Sequence, residues 1–202
     1  MGCARLLSTL AFPGAILALL AGATGSAPAS AQTAAPQASA VSCSQSFLPL
    51  PDPVCTPGVT NPDVRQDTID STICVPGWAE TVRPPDSFTD RLKIQQIAED
   101  GFTDTRPASY EDDHLISLEL SDAPRDPKNL WPEPRNAPPG ETAISKDEVE
   151  DKLHTMVCDG TAGLVAAQQA IATDWRTAVT VASRSGNRVV AGAVPRTMPS
   201  SY

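Results

Sequence analysis

The chain contains two histidines, and each lies close to carboxylates in the sequence. Asp113 directly precedes His114, whereas Glu150 lies four residues before His154, one turn away if this segment is helical. A histidine can take a proton from water near neutral pH, because its pKa lies close to that pH. A carboxylate beside it can hold a divalent cation, which neutralises a phosphate and its leaving oxygen. The pattern therefore predicts phosphodiester hydrolysis as the chemistry of these residues.

Asp113 and His114 are predicted to lie at the entrance to a strand, where consecutive side chains point to opposite faces. One residue can then hold a metal ion while the next faces the attacking water. Asn129 lies between the two histidines in the sequence, and a buried amide at this place can fix the orientation of an imidazole. The candidate site thus combines a base, an amide and carboxylates from separate parts of the chain.

This order of residues resembles the ββα-metal motif of HNH endonucleases: Asp113 and His114 on a strand, Asn129 after a loop, and then a helix. The stretch Tyr110–Pro134 (YEDDHLISLELSDAPRDPKNLWPEP) also resembles a group of small exported bacterial proteins related to that motif. Further segments that resemble the same group are Cys55–Gly58 (CTPG), Ser71–Gly77 (STICVPG) and Lys146–Trp175.

The resemblance implies that His114 is the general base and that Asn129 orients it. Asp113 would be the first metal ligand, and the ligand from the helix would be His154 or Glu150. The implied cofactor is a divalent metal ion, Mg²⁺, Mn²⁺ or Zn²⁺, and the implied substrate is DNA or RNA. The implied reaction is hydrolysis of nucleic-acid phosphodiester bonds by an HNH-like endonuclease.

The chain departs from the family pattern after the first strand, where Ser121 and Asp122 replace the usual Gly-Gly turn. A turn that needs a positive φ is strained at a residue with a side chain, although aspartate tolerates it better than most residues. Asn129 and His154 are also widely separated, and the proline-rich loop 132–139 would have to absorb the difference as an insertion. The alternative is a non-catalytic exported protein that uses the same scaffold to bind a partner or the cell envelope.

The 202-residue chain carries a net charge of −9, which argues against a polybasic protein and opposes binding of a polyanion at long range. A nuclease would need local basic residues around the site. The basic residues close to the candidate site in sequence are Arg125, Lys128, Arg135, Lys146 and Lys152. We predict that they form a basic rim on an otherwise acidic protein.

The first 31 residues are typical of a secretory signal peptide, with Arg5 before an apolar run and Ala29-Ser30-Ala31 as the cleavage site. The protein is therefore expected to be secreted or periplasmic, without a membrane span after removal of the leader, and monomeric. Of the five cysteines, Cys3 falls in the leader. The other four predict two disulfides, with three possible connectivities, and none of their spacings has the CxxC pattern of a zinc site. These four are Cys43, Cys55, Cys74 and Cys158.

The fold class expected from these patterns is α+β: a small disulfide-stapled domain with a ββα-metal-like core and additional helices. A flexible Ala/Ser/Pro-rich linker is expected over 32–54, the domain over 55–176 and a weakly ordered tail over 177–202. Alternating apolar residues predict a strand over 114–120, and a second short strand is expected at 129–131. Another β-prone run covers 71–75, with 78–82 as its continuation. Helices are predicted over 89–100, 146–158 and 163–175.

Overall fold

The computed structural model describes residues 43–191, with side chains up to residue 185. The predicted signal peptide (1–31) and positions 192–202 of the predicted tail lie outside the described residues. The helices are α1 (Trp78–Val82), α2 (Asp86–Glu99), α3 (Ala143–Cys158) and α4 (Leu164–Ala191), and the strands are β1 (Tyr110–His114) and β2 (Leu130–Pro134). Short 3₁₀ helices lie at Gln45–Phe47, Ile69–Ser71, Pro107–Ser109 and Leu118–Leu120. This combination of a small sheet with helices confirms the predicted α+β class.

Strands β1 and β2 pair antiparallel, and His114 lies opposite Leu130 where the connecting loop joins the two strands. The strand predicted over 114–120 is therefore misplaced: β1 ends at His114, and a 3₁₀ helix lies further on. The reason is that the Asn129 side chain bonds both the N–H and the C=O of Ile116, at 3.1 and 3.0 Å. These backbone groups are thus satisfied without a strand partner. The apolar alternation reflects burial on several sides rather than a half-exposed sheet face.

Ser121 follows the 3₁₀ helix in the left-handed conformation, with φ 62°. This is the position at which the sequence analysis placed a strained turn, and its cost is of order 1 kcal/mol for a residue with a side chain. Neighbouring backbone holds the turn in place, because the N–H of Asn61 donates to Ser121 O at 3.0 Å and that of Ala123 donates to Val59 O at 2.8 Å. The segment around Thr60 thereby fixes the loop that leads to β2.

Helices α3 and α4 enclose the main core, in which Leu153 and Val157 from α3 are fully buried. Helix α4 contributes Ala167, Ile171, Trp175, Ala178 and Ala182 to the same core. The helix predicted to end at Trp175 therefore continues, with a non-helical backbone at Asp174, because small alanines keep an apolar stripe beyond this point. Positions 177–191 of the predicted tail belong to this helix. Among the described helices, none is both long and apolar enough to cross a membrane.

Other boundaries also differ from the sequence-based expectations. The β-prone run at 71–75 forms a 3₁₀ helix and turns, and residues 78–82 form α1 rather than a strand, since both segments cover the core without a neighbouring strand. Helix α2 begins at Asp86 rather than near Thr89, and Pro85 precedes its first turn. Gln96 of α2 donates to Leu130 O at 2.7 Å, so this helix holds the hairpin from one side.

Two disulfides fix the connectivity that the sequence left open: Cys43 bonds Cys55, and Cys74 bonds Cys158. The second links the segment before α1 to the end of α3. Residues 43–54, part of the predicted linker, are tied to the domain by the first disulfide and by a hydrogen bond from Gln45 Nε2 to Asp100 O at 3.1 Å. The compact part of the chain therefore begins before the expected boundary at 55, because Cys43 fixes this segment.

Candidate functional site

The end of β1 carries Asp113 and His114 toward opposite sides, as the strand geometry predicted. The Oδ2 atom of Asp113 lies 2.8 Å from Nζ of Lys146 on α3 and accepts a hydrogen bond from Trp131 Nε1 at 3.3 Å. His114 lies on the other side, beside the loop that joins the strands. The hairpin therefore separates a carboxylate that faces α3 from an imidazole that faces the loop.

Lys146 is fully buried, and its ammonium group is the centre of the α3 side of the site. Besides Asp113, it forms an ion pair with Glu150 and donates to His114 O at 2.8 Å. Burial alone would lower the pKa of Lys146, but the attraction of Asp113, Glu150 and Glu133 raises it above its ordinary value. The lysine therefore stays charged and holds Asp113 and Glu150 close together.

Glu133 on β2 is the third carboxylate near this lysine. It is 1% exposed, and neither of its carboxyl oxygens has a hydrogen-bond partner within the described residues. Burial raises the pKa of Glu133 to about 9, and the negative charge of Asp113 adds to the effect. Burial therefore favours the neutral form of Glu133, whereas Asp113 and Glu150 contact the Lys146 ammonium directly.

The imidazole of His114 is fixed through one of its nitrogens. Nε2 lies 3.2 Å from Pro124 O and 3.5 Å from Oδ2 of Asp122. A proton on Nε2 satisfies this carbonyl, so Nδ1 carries the lone pair in that tautomer. Within the described part of the chain Nδ1 has no hydrogen-bond partner. Burial lowers the pKa of His114, which keeps the ring neutral and able to accept a proton near pH 7.

Asn129 is fully buried, and its side chain forms hydrogen bonds with Ile116 and Asp122 rather than with the imidazole. Its amide bonds the backbone of Ile116, and its Nδ2 also donates to Asp122 Oδ2 at 2.8 Å. Burial raises the pKa of Asp122 to about 7, against the effect of this hydrogen bond. Asp122 Oδ2 thus lies between the Asn129 amide and His114 Nε2 and connects the two residues.

A cavity of about 220 Å³ opens where these elements meet, and both Asp113 and His114 line it. Carboxylates dominate the lining, and those from α3 are Asp147, Glu150 and Asp151. Burial raises the pKa of Glu150, whereas Lys146 opposes this increase. The lining is therefore acidic, and the cavity brings together three of the predicted site residues, Asp113, His114 and Glu150, whereas Asn129 does not line it.

His154, the other predicted helix ligand, does not line this cavity. Its Nε2 lies 2.9 Å from Ile73 O, and its Nδ1 lies 3.8 Å from Oε2 of Glu119. One ring nitrogen and the sulfurs of Cys74 and Cys158 lie within 4.8 Å of one another, so this group could hold a metal ion. The two sulfurs are bonded to each other, however, and metal ligation needs thiolates, so only the reduced protein could use them.

None of the predicted rim residues lines the acidic cavity. Lys146 is buried in the ion pairs described above, and Arg125 lies over the ring of Phe88, 5.5 Å from its centroid. Arg135 pairs with Glu111 at 2.9 Å. The burial of Lys146 depends on its contact with Asp113 of β1, which local sequence does not reveal. The four-residue spacing between Lys146 and Glu150 was nevertheless a visible signal of an ion pair on a helix.

Two more residues were missed at the sequence level. Asp122 was treated as part of a turn, and Glu133 was not considered, since nothing in their spacing indicates that they lie beside His114 and Lys146. Searches with this chain find no matching protein-family model, no matching curated protein and no matching solved structure.

Proposed function

We propose that the protein is an exported, metal-dependent, HNH-like phosphodiesterase that hydrolyses nucleic acid. The observation that carries this proposal is the state of His114: Nε2 is fixed by Pro124 O, while Nδ1 is unpartnered within the described residues in a ring that lines an acidic cavity. A general base needs this combination of a fixed ring and an available lone pair. Export is supported by the leader pattern in the sequence and by the two disulfides, which are typical of oxidising compartments.

In the proposed reaction, His114 Nδ1 takes a proton from water as the water oxygen bonds to phosphorus. The bond between phosphorus and the leaving oxygen breaks, and the leaving oxygen is protonated by solvent. The imidazolium that forms is stabilised at Nε2 by Pro124 O and by Asp122 at 3.5 Å. Asn129 keeps both partners in place because it bonds the loop backbone and Asp122 together.

The cavity would supply only a partial ligand set for a hard divalent cation: in the described part of the chain, no three of its carboxylate or imidazole ligand atoms lie within 4.8 Å of one another, so water would have to complete the coordination. Lys146 contacts one oxygen of Asp113 and one of Glu150, which leaves the other carboxylate oxygen of each residue, with Asp147 nearby in the lining. These oxygen ligands favour Mg²⁺ or Mn²⁺ over Zn²⁺. When bound, such an ion would supply charge neutralisation for the phosphate and the leaving oxygen.

The two histidines provide a matched test. Purified protein is incubated with plasmid DNA and with RNA in Mg²⁺, Mn²⁺ or Zn²⁺, beside a chelator control. We expect metal-dependent cleavage that falls by about 10²–10⁴-fold in His114→Ala, the usual contribution of a general base. His154→Ala, which changes the histidine outside the cavity, should cleave like the wild type. Equal inactivity of all three folded proteins would reject the proposal.

A non-catalytic exported binding protein is the second candidate, and the position of Lys146 favours it. Its ammonium already neutralises Asp113 and Glu150, so the scaffold is held together without a metal ion. If this candidate is correct, Mg²⁺ and Mn²⁺ will not change the melting temperature of the protein. A rise on addition of either ion, absent in Asp113→Asn, would instead support the metal site.

A further inference from the structure

A second cavity of about 210 Å³ adjoins the acidic one and has a different chemical character. The two cavities share His114, Arg83, Glu111 and Asp112 in their linings. The second is also lined by Lys93 of α2 and by Arg135 after β2, whereas no basic side chain other than Arg83 lines the acidic cavity. His114 therefore stands at the boundary between an acidic compartment and a compartment with three basic side chains.

The basic side chains keep hydrogen-bond donors available. Arg83 uses Nε for Glu80 at 3.2 Å, and Arg135 uses one terminal nitrogen for Glu111 at 2.9 Å. The Lys93 ammonium donates a hydrogen bond to Asp90 Oδ1 at 3.2 Å, which uses one of its three N–H donors. Each of these ion pairs is at least partly exposed and therefore weak, so that a phosphate can compete for the remaining donors.

Helix α2 adds to the same compartment, because Pro84, Asp86 and Thr89 at its beginning line the cavity. Pro85 supplies no side-chain cap, and the first turn of a 14-residue helix carries the positive end of its dipole. Three carboxylates also line the cavity: Asp86, Glu111 and Asp112. Glu111 forms an ion pair with Arg135 and fixes the position of its guanidinium group. The negative charge of Glu111 repels a bound anion, but the same carboxylate also orients a group that attracts the anion.

We propose that this second cavity is a phosphate subsite that binds the backbone of the nucleic-acid substrate through Arg83, Lys93 and Arg135. The inference rests on the proposed function. These three basic groups would supply local positive charge where a protein with a net charge of −9 meets a polyanion. A phosphodiester that spans the boundary has its backbone in the basic compartment and its scissile bond beside the proposed base.

Binding without cleavage tests the subsite separately. Fluorescent single-stranded DNA and RNA of about 12 nucleotides are titrated with protein in the presence of a chelator, and anisotropy is recorded. The cavity variant carries Arg83→Gln, Lys93→Gln and Arg135→Gln. The control carries Arg65→Gln, Arg91→Gln and Arg184→Gln, which change the net charge equally at exposed positions outside both cavities. Melting curves check that both variants are folded.

We expect the cavity variant to lose about tenfold or more in affinity and to show a shallower dependence of affinity on salt, by about 0.7 per lost phosphate contact. The control should lose about twofold or less. Equal affinities of the two variants, or no binding by the wild type, would overturn the subsite even if the wild type cleaves nucleic acid. If only the cavity variant loses affinity and the wild type cleaves neither DNA nor RNA, the subsite is retained and the proposed function is rejected.

Discussion

The two histidines have similar sequence neighbourhoods but different surroundings in the fold. His114 is 8% exposed, one of its nitrogens is fixed by the loop, and the residue lines an acidic cavity. His154 is hydrogen-bonded to Ile73 O and lies beside the Cys74–Cys158 disulfide. Nearby carboxylates in the sequence therefore do not identify a base. What distinguishes His114 is a hairpin and a loop that hold its ring against a cavity.

Helix geometry explains why His154 is separated from the site. Lys146 and His154 are eight residues apart on α3, which corresponds to about 12 Å along the helix axis. Lys146 and Glu150 lie beside the end of β1, whereas His154 reaches the segment before α1. One face of α3 thus contacts two different regions, the end of β1 at the acidic cavity and the segment that carries the Cys74–Cys158 disulfide. Only the acidic cavity contains residues of the proposed reaction.

The largest effect is expected from loss of the disulfide beside His154. It closes a loop with a sequence separation of 84, compared with 12 for Cys43–Cys55. In the chain-entropy model, Cys74→Ser with Cys158→Ser should lower the free energy of unfolding by about 4.5 kcal/mol, and the other pair of substitutions by about 3 kcal/mol. Urea denaturation of the two double variants measures the difference. A similar loss in both would show that loop length does not decide the contribution.

A nearly equal effect is expected on the His114 side from Lys146→Met. This change leaves Asp113 and Glu150 buried without their cation, and loss of one partner of a buried ion pair costs about 3–5 kcal/mol. Lys152→Met on the exposed side of the same helix is the control and should change stability by about 0.5 kcal/mol or less. Chemical denaturation checks both variants. A small loss in Lys146→Met would show that the two carboxylates become protonated or hydrated at little cost.

Asn129→Ala should have an intermediate effect, since it leaves the N–H and C=O of Ile116 buried without partners. The expected loss is about 1–3 kcal/mol, and Asn136→Ala, in the loop after β2, should be nearly neutral. The NMR titration of the His114 ring sharpens the comparison: its pKa should move toward the ordinary value in Asn129→Ala, while the His154 resonances remain unchanged. An unaltered His114 titration would exclude the positioning role of Asn129.

The effect of Glu133→Gln is expected to depend on pH, unlike the three effects above. Burial raises the pKa of Glu133 to about 9, so the folded state keeps a proton that the unfolded state has lost. Stability contributed by this group is present below the unfolded pKa and falls as the pH rises toward 9, by up to about 1.4 kcal/mol per pH unit. Glutamine cannot ionise, so the variant should gain stability relative to the wild type between pH 5 and pH 8.

Unfolding by urea at these two pH values provides the measurement. A constant difference between Glu133→Gln and the wild type would mean that Glu133 is ionised throughout this range and has found a partner in solution.

The sequence by itself determined the features that depend on local spacing. It placed Asp113 and His114 on opposite sides of a strand, Lys146 and Glu150 one turn apart on a helix, and four cysteines outside the predicted leader. It also indicated the α+β class, because strand and helix patterns are read over short windows. The same reliance on local pattern misplaced β1, since the apolar run after His114 is buried without being a strand.

Only the tertiary structure decided the partners of these residues. It paired Cys74 with Cys158, placed the Lys146 ammonium between Asp113 and Glu150, and brought Asp122 beside His114. Each of these contacts joins distant parts of the chain or depends on burial. Burial changes the energy of a charge far more than local spacing does, because removal of water strengthens both the attraction of a partner and the penalty for lacking one.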